Sequence, residues 1–330
     1  MLYSGKKERR EGIKLTYKVF IDGAHGTTGL KIHEYLKDRA DIEILPIDES
    51  KRKDLDERVR MTEKADVSIL CLPDQASREL AQAVPAGVRL IDTSTAHRTD
   101  PGWVYGLPEL TRGQREKIRA AERVANPGCH ATGFITLIRP LVEAGLLPKD
   151  ALLDAFCVTG YSGGGKKMIQ NHERADKPEY LKTPGQYGLT QTHKHLPEMR
   201  AMTGLTQAPC FSPIVGDFFS GMVMTVPLHA AQLTRQAGPA DILAVYREHY
   251  AGERMIHVRT GLPEDGFIHS DIMAGKDDLE ILVAGNEERL LLISRFDNLG
   301  KGASGAAVQN LNLMLGIEET KGLMEGKNAD

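Results

Sequence analysis

Residues 17–29 read YKVFIDGAHGTTG, and this stretch decides the fold. Its apolar first part predicts a β-strand, and its second part carries glycines at positions 23, 26 and 29 ahead of a helical pattern. Glycine permits a tight turn and a close approach to a pyrophosphate, and the helix offers free N–H groups and the positive end of its dipole. The spacing differs from the usual G-x-G-x-x-G fingerprint, and an ordinary turn is the alternative. The position of the loop on the first strand of a β–α series favours nucleotide binding.

The alternation of strand and helix patterns continues beyond this loop. Strands are predicted near 42–47, 67–72 and 88–91, with helices near 53–65 and 74–83 between them. Strands that alternate with helices imply right-handed crossovers and a parallel sheet. We therefore predict an α/β domain with a doubly wound parallel sheet.

A different pattern begins after residue 128. A long strand is predicted near 151–159, and the strands of a mixed or antiparallel sheet are predicted near 218–227, 255–259, 279–284 and 289–296. The last pattern, at 305–315, is a small-residue helix of the kind that can pack back on the first domain. This half of the chain therefore predicts a second domain of different architecture.

The composition is that of an ordinary globular protein, with 41% hydrophobic and 26% charged residues among 330. This length predicts about two domains. A net charge of −3 gives no bias toward nucleic acid or membrane, and no apolar run reaches the roughly 18 residues of a membrane span. We expect a cytoplasmic protein whose residues 1–16 form a charged, solvated extension and not a signal peptide.

Four cysteines lie at positions 71, 129, 157 and 210, and no C-x-x-C pair occurs. This spacing argues against a disulfide framework and against a structural zinc site, so we expect free thiols and no metal. Free cysteines are usually buried structural residues, and Cys71, Cys157 and Cys210 are assigned to that class.

Cys129 is the exception because of the turn that precedes it. Asn126-Pro127-Gly128 predicts a sharp bend, and the apolar stretch 134–142 predicts a helix that begins near the cysteine. A helix N-terminus lowers the pKa of a thiol and makes it a better nucleophile. The N–H groups there, together with the Asn126 amide, can hold a developing oxyanion. We therefore predict that Cys129 is a nucleophile.

A thiol nucleophile needs a partner that handles protons, and residues 193–198 supply one. His195 is the candidate acid/base, Glu198 is expected to orient its ring, and His193 is the rival. A structural role for a histidine remains the alternative.

The residues after the second predicted strand bear on the choice of cofactor. Asp48 can hold a ribose 2′-OH and would favour NAD. The polar and basic cluster Ser50, Lys51 and Arg52 follows at once and suits a 2′-phosphate, so we predict NADP(H).

One family shows the same segments in the same order, at 22–29, 92–98, 105–109, 126–129, 193–198 and 297–303. Over residues 17 to about 316 the chain resembles the N-acetyl-γ-glutamyl-phosphate reductase family. Residues 20–30 resemble the opening of its shorter, type 2 subfamily, whereas the loop at 162–165 and the motif at 94–98 depart from the commoner family sequences.

The resemblance implies a Rossmann domain joined to an α+β catalytic and dimerisation domain, as in aspartate-semialdehyde dehydrogenase. The corresponding bounds are 17–128 plus 298–330 for the first domain and 129–297 for the second. It also implies NADP(H), the third step of arginine biosynthesis from glutamate, and a homodimer or homotetramer. Cys129 matches the acylated cysteine of the family, and His195 matches its catalytic histidine.

Site residues follow from the motifs and the resemblance together. The catalytic set is Cys129, His195, Glu198 and Asn126, and the substrate is expected to meet Arg98 and His193. Arg98 is the candidate for an anionic group of the substrate, with a structural ion pair as the alternative. Cofactor contacts are expected from Gly23, His25, Gly26, Thr27, Thr28, Gly29, Ser50, Lys51, Arg52, Ser94, Ser162, Gly163 and Asn298.

The expected reaction is the NADPH-dependent reduction of an acyl phosphate to an aldehyde through a cysteine thioester. Aspartate-semialdehyde dehydrogenase, another acyl-phosphate reductase, and a related step of lysine biosynthesis on a carrier protein are the enzymatic alternatives. The alternative of another class is a non-catalytic regulator that senses NADP, which would have no need of an activated Cys129. We expect no nucleic acid and no membrane as partners.

Overall fold

Six parallel strands form the first sheet of the computed structural model, which describes residues 16–263 and 265–326. Their bounds are Tyr17–Asp22 (β1), Ile42–Leu45 (β2), Val67–Leu70 (β3), Leu90–Asp92 (β4), Val104–Tyr105 (β5) and Arg123–Ala125 (β6). In space they follow the order β2-β1-β3-β4-β6-β5. The order changes direction between β1 and β3, where the carboxyl ends of such strands form a ligand crevice. The predicted parallel sheet is confirmed.

Within the described part of this domain, the α-helices before residue 126 are Thr27–Leu36 (α1), Leu55–Lys64 (α2), Asp74–Ala83 (α3) and Gln114–Ala120 (α4). Helix α1 follows the glycine loop and buries Ile32 and Leu36. These side chains meet Val19 and Ile69 of the sheet in one apolar cluster. Burial of one helix face against the sheet therefore fixes the direction in which α1 points its N-terminus.

Seven strands form a second, mixed sheet in the order β11-β12-β13-β10-β7-β9-β8. Their bounds are Asp154–Gly160 (β7), Gly185–Gln186 (β8), Cys210–Gly216 (β9), Met222–His229 (β10), Ile256–Val258 (β11), Leu279–Gly285 (β12) and Arg289–Phe296 (β13). The central strand β10 is antiparallel to both neighbours, whereas β7 is parallel to β9. The prediction of a mixed sheet is confirmed.

Helix α5 (Cys129–Glu143) lies on one face of the second sheet, against β10 and β13. It begins four residues after β6 of the first sheet ends, so the short link 126–128 carries the chain from one sheet to the other. The remaining helices of this part are Gly165–Glu173 (α6), Leu196–Thr203 (α7) and Pro239–His249 (α8), and α7 and α8 both contact α5. Cys129 therefore lies at the junction of the two sheets.

After β13 the chain passes through a π-helical turn, Gly300–Ser304, into the last helix, Gly305–Leu315 (α9). Helix α9 contacts β3, β4, α1 and α4, and its apolar residues join the core of the first sheet. The predicted return of this helix to the first domain is confirmed. A buried ion pair, Lys301 Nζ to Glu109 Oε1 at 2.7 Å, fixes the turn before it.

The exact domain boundaries stay a prediction. The predicted extension 1–16 lies, except for Thr16, outside the described residues. Within 16–263 and 265–326, no helix has the length and apolar character needed to cross a membrane.

Candidate active site

A cavity of about 390 Å³ opens where the two sheets meet. Residues of the first domain, the link 126–128 and the second domain all line it. Of the predicted site residues, the cavity brings together Thr27, Thr28, Arg98, Asn126, Cys129, Ser162, Gly163, His193, His195 and Asn298. A cleft of about 240 Å³ adjoins it beside the glycine loop and is lined by Gly26, Gly29 and Ser94, with Thr27 and Thr28 bordering both spaces.

The glycine loop has the geometry expected of a close turn. Gly23 has a φ of +84°, and a Cβ there would lie 2.2 Å from the carbonyl oxygen of Cys71. A Cβ at Gly29 would lie 2.5 Å from the carbonyl oxygen of Gly23. Gly26 caps helix α1 and has no such crowding, since its nearest neighbour would be 3.5 Å away. Gly23 and Gly29 thus set the turn, whereas a Cβ at Gly26 would make only ordinary van der Waals contact.

One observation at this helix N-terminus fits a nucleotide cofactor. The Oγ1 atom of Thr27 is buried and has no hydrogen-bond partner among the described residues. Thr27 is the first residue of α1, where the unpaired backbone N–H groups of a helix lie. A hydroxyl group and backbone N–H groups therefore lie together where the cavity and the cleft adjoin. This set of donors fits a phosphate group.

The segment proposed to choose the cofactor lies beside the glycine loop. His25 Nε2 and Glu49 Oε2 are 3.1 Å apart and join the loop to a 3-10 turn, Glu49–Lys51. Asp48 caps that turn, because its carboxylate accepts hydrogen bonds from the backbone N–H and the hydroxyl of Ser50 at 2.9 and 2.7 Å. Lys51 and Arg52 are exposed. The carboxylate that would favour NAD is therefore already engaged within its own turn.

Asn298 and Ser162, two predicted cofactor contacts that line the cavity, are hydrogen-bonded to each other. The Asn298 Nδ2 donates to Ser162 Oγ at 2.9 Å, and the Asn298 Oδ1 accepts from the backbone N–H of Gly221 at 2.9 Å. Ser94 lies apart from this group, since its hydroxyl donates to Asp92 Oδ2 at 2.8 Å in the adjoining cleft. The predicted cofactor residues thus divide between the cavity, the cleft and the exposed turn at 49–52.

Cys129 is the first residue of α5, as its turn predicts. Its Sγ atom and one ring nitrogen each of His130 and His195 lie within 4.8 Å of one another. The preceding Gly128 packs tightly, since a Cβ there would lie 2.3 Å from Nη1 of Arg98 and 2.4 Å from Nε2 of His195. The absence of a side chain at 128 therefore lets the thiol, an imidazole and a guanidinium share one site.

The sequence prediction that the thiol pKa is lowered is wrong for this state of the protein. Burial raises the pKa of Cys129 to about 11, although Arg98 and the N–H of His130 act in the opposite direction. Loss of hydration around the sulfur therefore outweighs the helix terminus and the nearby cation. The thiol is protonated at neutral pH and must lose its proton to react.

His195 presents a neutral imidazole beside this thiol, although its lowered pKa also makes it a weaker base. Burial, followed by the charge of Arg98, holds the pKa of its imidazole well below the usual value, so the ring is neutral. Its Nδ1 atom has no hydrogen-bond partner among the described residues. His193 lies beside it and accepts a hydrogen bond from the His195 backbone N–H at 3.2 Å, and its own pKa is also lowered, mainly by burial.

Glu198 does not orient the His195 ring, contrary to the sequence prediction. Its carboxylate accepts hydrogen bonds from Arg98 Nη1 at 3.1 Å, Tyr105 Oη at 2.6 Å and the Gly128 backbone N–H at 2.9 Å. Both oxygens are therefore used to hold the cysteine turn and the guanidinium. Glu198 follows His195 by three residues, but helix α7 directs its side chain toward residues that are distant in sequence.

Arg98 is fixed from three sides. Besides Glu198, its Nε donates to the carbonyl of Asn126 at 2.9 Å and its Nη2 to the carbonyl of Thr93 at 3.0 Å. The predicted ion pair and the predicted position beside the substrate space are thus both present, because Arg98 also lines the cavity. The Asn126 amide donates one hydrogen to the carbonyl of Ala303 at 2.9 Å.

The other cysteines differ from one another. Cys157 is buried in β7, as expected, whereas Cys210 is exposed, so its assignment as a buried residue is wrong. Cys71 follows the end of β3, and burial raises the pKa of its thiol to about 12.

Comparison with known proteins identifies the family. The model described as "Semialdehyde dehydrogenase, NAD binding domain" matches residues 18–121, and the one described as "Semialdehyde dehydrogenase, dimerisation domain" matches residues 129–298. Proteins named N-acetyl-gamma-glutamyl-phosphate reductase from Brucella suis and Brucella ovis are each 47% identical over 309 residues, which cover 91% of this chain and 99% of each relative. The chain belongs to the N-acetyl-γ-glutamyl-phosphate reductase family. It is therefore an oxidoreductase that binds a nicotinamide nucleotide.

Solved structures extend the likeness to the fold of this reductase family member. Aspartate semialdehyde dehydrogenase II of Vibrio cholerae, complexed with ASA, aligns with a TM-score of 0.68 at 17% identity over 91% of this chain and 98% of that chain. The aspartate semialdehyde dehydrogenase of Francisella tularensis aligns with a TM-score of 0.66 at 14% identity, over 91% and 100%. These likenesses confirm the fold class, a Rossmann-type domain with a second α+β domain.

Several residues of the reductase site were missed by sequence reasoning. His130 and Tyr187 line the cavity beside Cys129, and Lys194 lines both the cavity and the adjoining cleft. His130 and Lys194 stand next to assigned residues, which was a usable signal. Tyr187 gave none, because no motif in its surroundings points to the cysteine.

Proposed function

We propose that this chain reduces N-acetyl-γ-glutamyl phosphate to N-acetyl-L-glutamate 5-semialdehyde, with release of phosphate, through a thioester on Cys129. The reaction would be the third step of arginine biosynthesis from glutamate. The observation that carries the proposal is the meeting of a thiol and a neutral imidazole within 4.8 Å, in a cavity that also reaches the glycine-loop helix. The names of the curated relatives support the substrate.

The first half of the reaction needs a nucleophile and a base. As the Cys129 sulfur attacks the acyl carbon, His195 takes the thiol proton, the S–C bond forms, and the C–O bond to phosphate breaks. A base beside the thiol is required because burial keeps the pKa of Cys129 at about 11. Splitting one difficult substitution into two easier steps is the gain of nucleophilic catalysis.

The developing oxyanion meets donors at the start of α5. The first N–H groups of a helix have no partner within the helix and project outward at its N-terminal end. Asn126 uses one hydrogen of its amide on Ala303 and keeps a second for this oxygen. These donors are fixed before substrate arrives, so they need no reorganisation when charge develops.

Arg98 and His193 are proposed to hold the substrate. Nη1 and Nη2 of Arg98 each carry two hydrogens and each spend one on Glu198 or Thr93 within the described part of the chain. The remaining N–H pair suits the two oxygens of a carboxylate or phosphate. Because Glu198 and two carbonyls fix the guanidinium, little side-chain freedom is lost on binding.

NADP(H) is the proposed cofactor, and it would supply the hydride. The glycine loop with His25, Thr27 and Thr28 would hold the phosphates, and Ser94, Ser162, Gly163 and Asn298 would line the nicotinamide side. Ser50, Lys51 and Arg52 would receive a 2′-phosphate, since Asp48 is engaged by Ser50 and the two cations are exposed. After hydride addition the carbonyl oxygen would carry a negative charge, its collapse to the aldehyde would break the C–S bond, and His195 would return to the sulfur the proton that it took in the first half.

We also propose that the chain forms at least a homodimer through the second sheet. One face of that sheet packs on α5, whereas Phe156 and Leu291 on the other face are 46% and 40% exposed. Both alternate with fully buried neighbours in their strands, so they point away from the core. Large apolar side chains on an open sheet face favour pairing with a second copy.

The reverse reaction tests the function directly. NADPH formation is followed with N-acetylglutamate 5-semialdehyde and phosphate, with aspartate semialdehyde and NAD in parallel. A rate that needs phosphate and favours the acetylated substrate and NADP is expected. A faster rate with aspartate semialdehyde would contradict the substrate. No rate with either aldehyde, in folded protein that binds NADP, would favour the sensing regulator.

A further inference from the structure

His130 lies between the thiol and a tyrosine. Its Nδ1 is 3.5 Å from Cys129 Sγ, and its Nε2 is 3.1 Å from Tyr187 Oη. His130 as a whole is 4% exposed. Its ring packs edge-on against the rings of His193 and Phe211, with centroid distances of 5.3 and 5.2 Å. The imidazole is therefore held in one orientation with one nitrogen toward the sulfur.

The contact with Tyr187 favours one of the two tautomers of the His130 ring. A phenol has one hydrogen to donate, and His130 Nε2 is the one acceptor that it meets among the described residues. If Nε2 accepts, the proton of a neutral ring must lie on Nδ1. Burial, followed by the charges of His193 and Lys194, lowers the pKa of His130 to about 3, so the ring is neutral. The Nδ1–H group then points at the sulfur.

We propose that His130, with its tautomer fixed by Tyr187, donates a hydrogen bond to the Cys129 sulfur and stabilises it as a thiolate. The place of this bond in the catalytic cycle rests on the proposed function, but the bond itself does not. It would act twice, when the thiol gives up its proton and when the C–S bond breaks and returns the sulfur as an anion. The two imidazoles would thus have separate tasks, since His195 accepts the proton and His130 donates to the sulfur.

Other groups around the sulfur leave room for this role. Burial and the Glu198 carboxylate raise the pKa of the Cys129 thiol, whereas the charges of Arg98 and Lys194 lower it from a distance. Among the described residues, no cation makes an ion pair or a hydrogen bond with Sγ. His130 is the one described side chain within hydrogen-bond distance of this atom. A hydrogen bond to an ionised acceptor is stronger than one between neutral groups, especially where water is scarce. The titratable groups facing Cys129 are His130, His195, Arg98, Lys194, Glu198, Tyr187 and Cys157.

The opposite assignment makes His130 a base. With the proton on Nε2, Nδ1 would accept from the thiol, and His130 would compete with His195. The two assignments differ in what an asparagine can replace. The Asn amide nitrogen occupies about the place of histidine Nδ1 and donates a hydrogen, but it does not titrate.

The test follows alkylation of Cys129 by iodoacetamide against pH, without substrate or cofactor. Peptide mass spectrometry separates Cys129 from the exposed Cys210. The variants are His130→Leu, His130→Asn and Tyr187→Phe, and Tyr180→Phe is a matched control because Tyr180 is 74% exposed. Thermal melting and NADPH binding check the fold of each variant.

Removal of the donor should shift the half-maximal pH of alkylation in His130→Leu upward by about one unit, which is about tenfold in thiolate at neutral pH. His130→Asn should stay within about threefold of the original chain in alkylation rate and in kcat, and Tyr187→Phe should lie between the two. An unshifted profile in His130→Leu would overturn the proposal. So would a kcat in His130→Asn as low as in His130→Leu, because that result assigns His130 as a base. Since alkylation needs no substrate, failure of the proposed function would leave this measurement intact.

Discussion

Arg98 and Glu198 form an ion pair at 3.1 Å in which both side chains are almost wholly buried, 8% and 2% exposed. The pair joins the segment after β4 to helix α7, and Glu198 also receives the Gly128 N–H just before the thiol. It therefore ties the substrate cation to the cysteine turn. Each partner depends on the other, because an unpaired charge at this depth is strongly unfavourable.

Glu198→Gln is expected to lower the free energy of unfolding by about 3 kcal/mol, since Arg98 then keeps a buried charge without its counterion. Urea unfolding measures this change. The double variant Arg98→Gln with Glu198→Gln should lose less than the sum of the two single losses, because the uncompensated charge is gone. Additive losses would show that the pair is not coupled. Glu173→Gln is the control, because it makes the same change in a carboxylate outside this pair.

Cys129→Ser should abolish reduction and leave NADPH binding intact, because the hydroxyl is a far weaker nucleophile than the thiol and the glycine loop is untouched. Turnover and NADPH fluorescence titration measure the two properties on one sample. Cys210→Ser is the matched control, since Cys210 is exposed and lies outside the cavity lining. Turnover of Cys129→Ser near that of the control would contradict the thioester route.

His195→Asn should lower kcat by about 10²–10⁴-fold if His195 is the acid/base, whereas His193→Asn should mainly raise KM. The physical reason is position, since a ring nitrogen of His195, like one of His130, lies within 4.8 Å of the thiol sulfur, whereas His193 is not part of that group. Steady-state kinetics of the two variants separate these effects. A large loss of kcat confined to His193→Asn would reverse the assignment.

The parts of the fold that depend on residues close together in sequence can be predicted from local patterns. The glycine loop, the turn before Cys129 and the last helix follow from glycine, proline and apolar spacing, and each occurs where it was predicted. Glu198 was misassigned because proximity to His195 in sequence was taken as contact, whereas its partners lie at residues 98, 105 and 128. Such contacts depend on how α7 packs on α5, which no local pattern contains.

The pKa of Cys129 was misjudged for a related reason. The helix N-terminus is visible in the sequence, but the depth of the cavity is not, and burial has the larger effect. The sequence assigns no role to His130, and adjacent residues on a helix ordinarily point in different directions. At the first turn of α5 the two side chains nevertheless meet, since Tyr187 holds the ring from the other side.

Lys51→Ala combined with Arg52→Ala should raise the KM for NADPH about tenfold and leave the KM for NADH unchanged, because the loss falls on contacts with a 2′-phosphate. Initial rates with both cofactors measure this preference. Lys117→Ala with Arg119→Ala removes the same two charges from the exposed face of α4 and is the matched control. An equal rise for both cofactors would mean that the cluster does not read the phosphate.

Phe156→Glu should convert the proposed dimer to a monomer, because it puts a charge into an apolar contact that must lose its water on pairing. Light scattering coupled to size exclusion gives the mass at several concentrations, to be compared with 36.3 kDa for one chain. Leu55→Glu is the control, since Leu55 is 38% exposed at the start of α2, in the other domain. An unchanged dimer mass in Phe156→Glu would exclude this sheet face as the interface. A dimer lost in both variants would instead point to a general loss of stability, which urea unfolding of the two proteins would reveal.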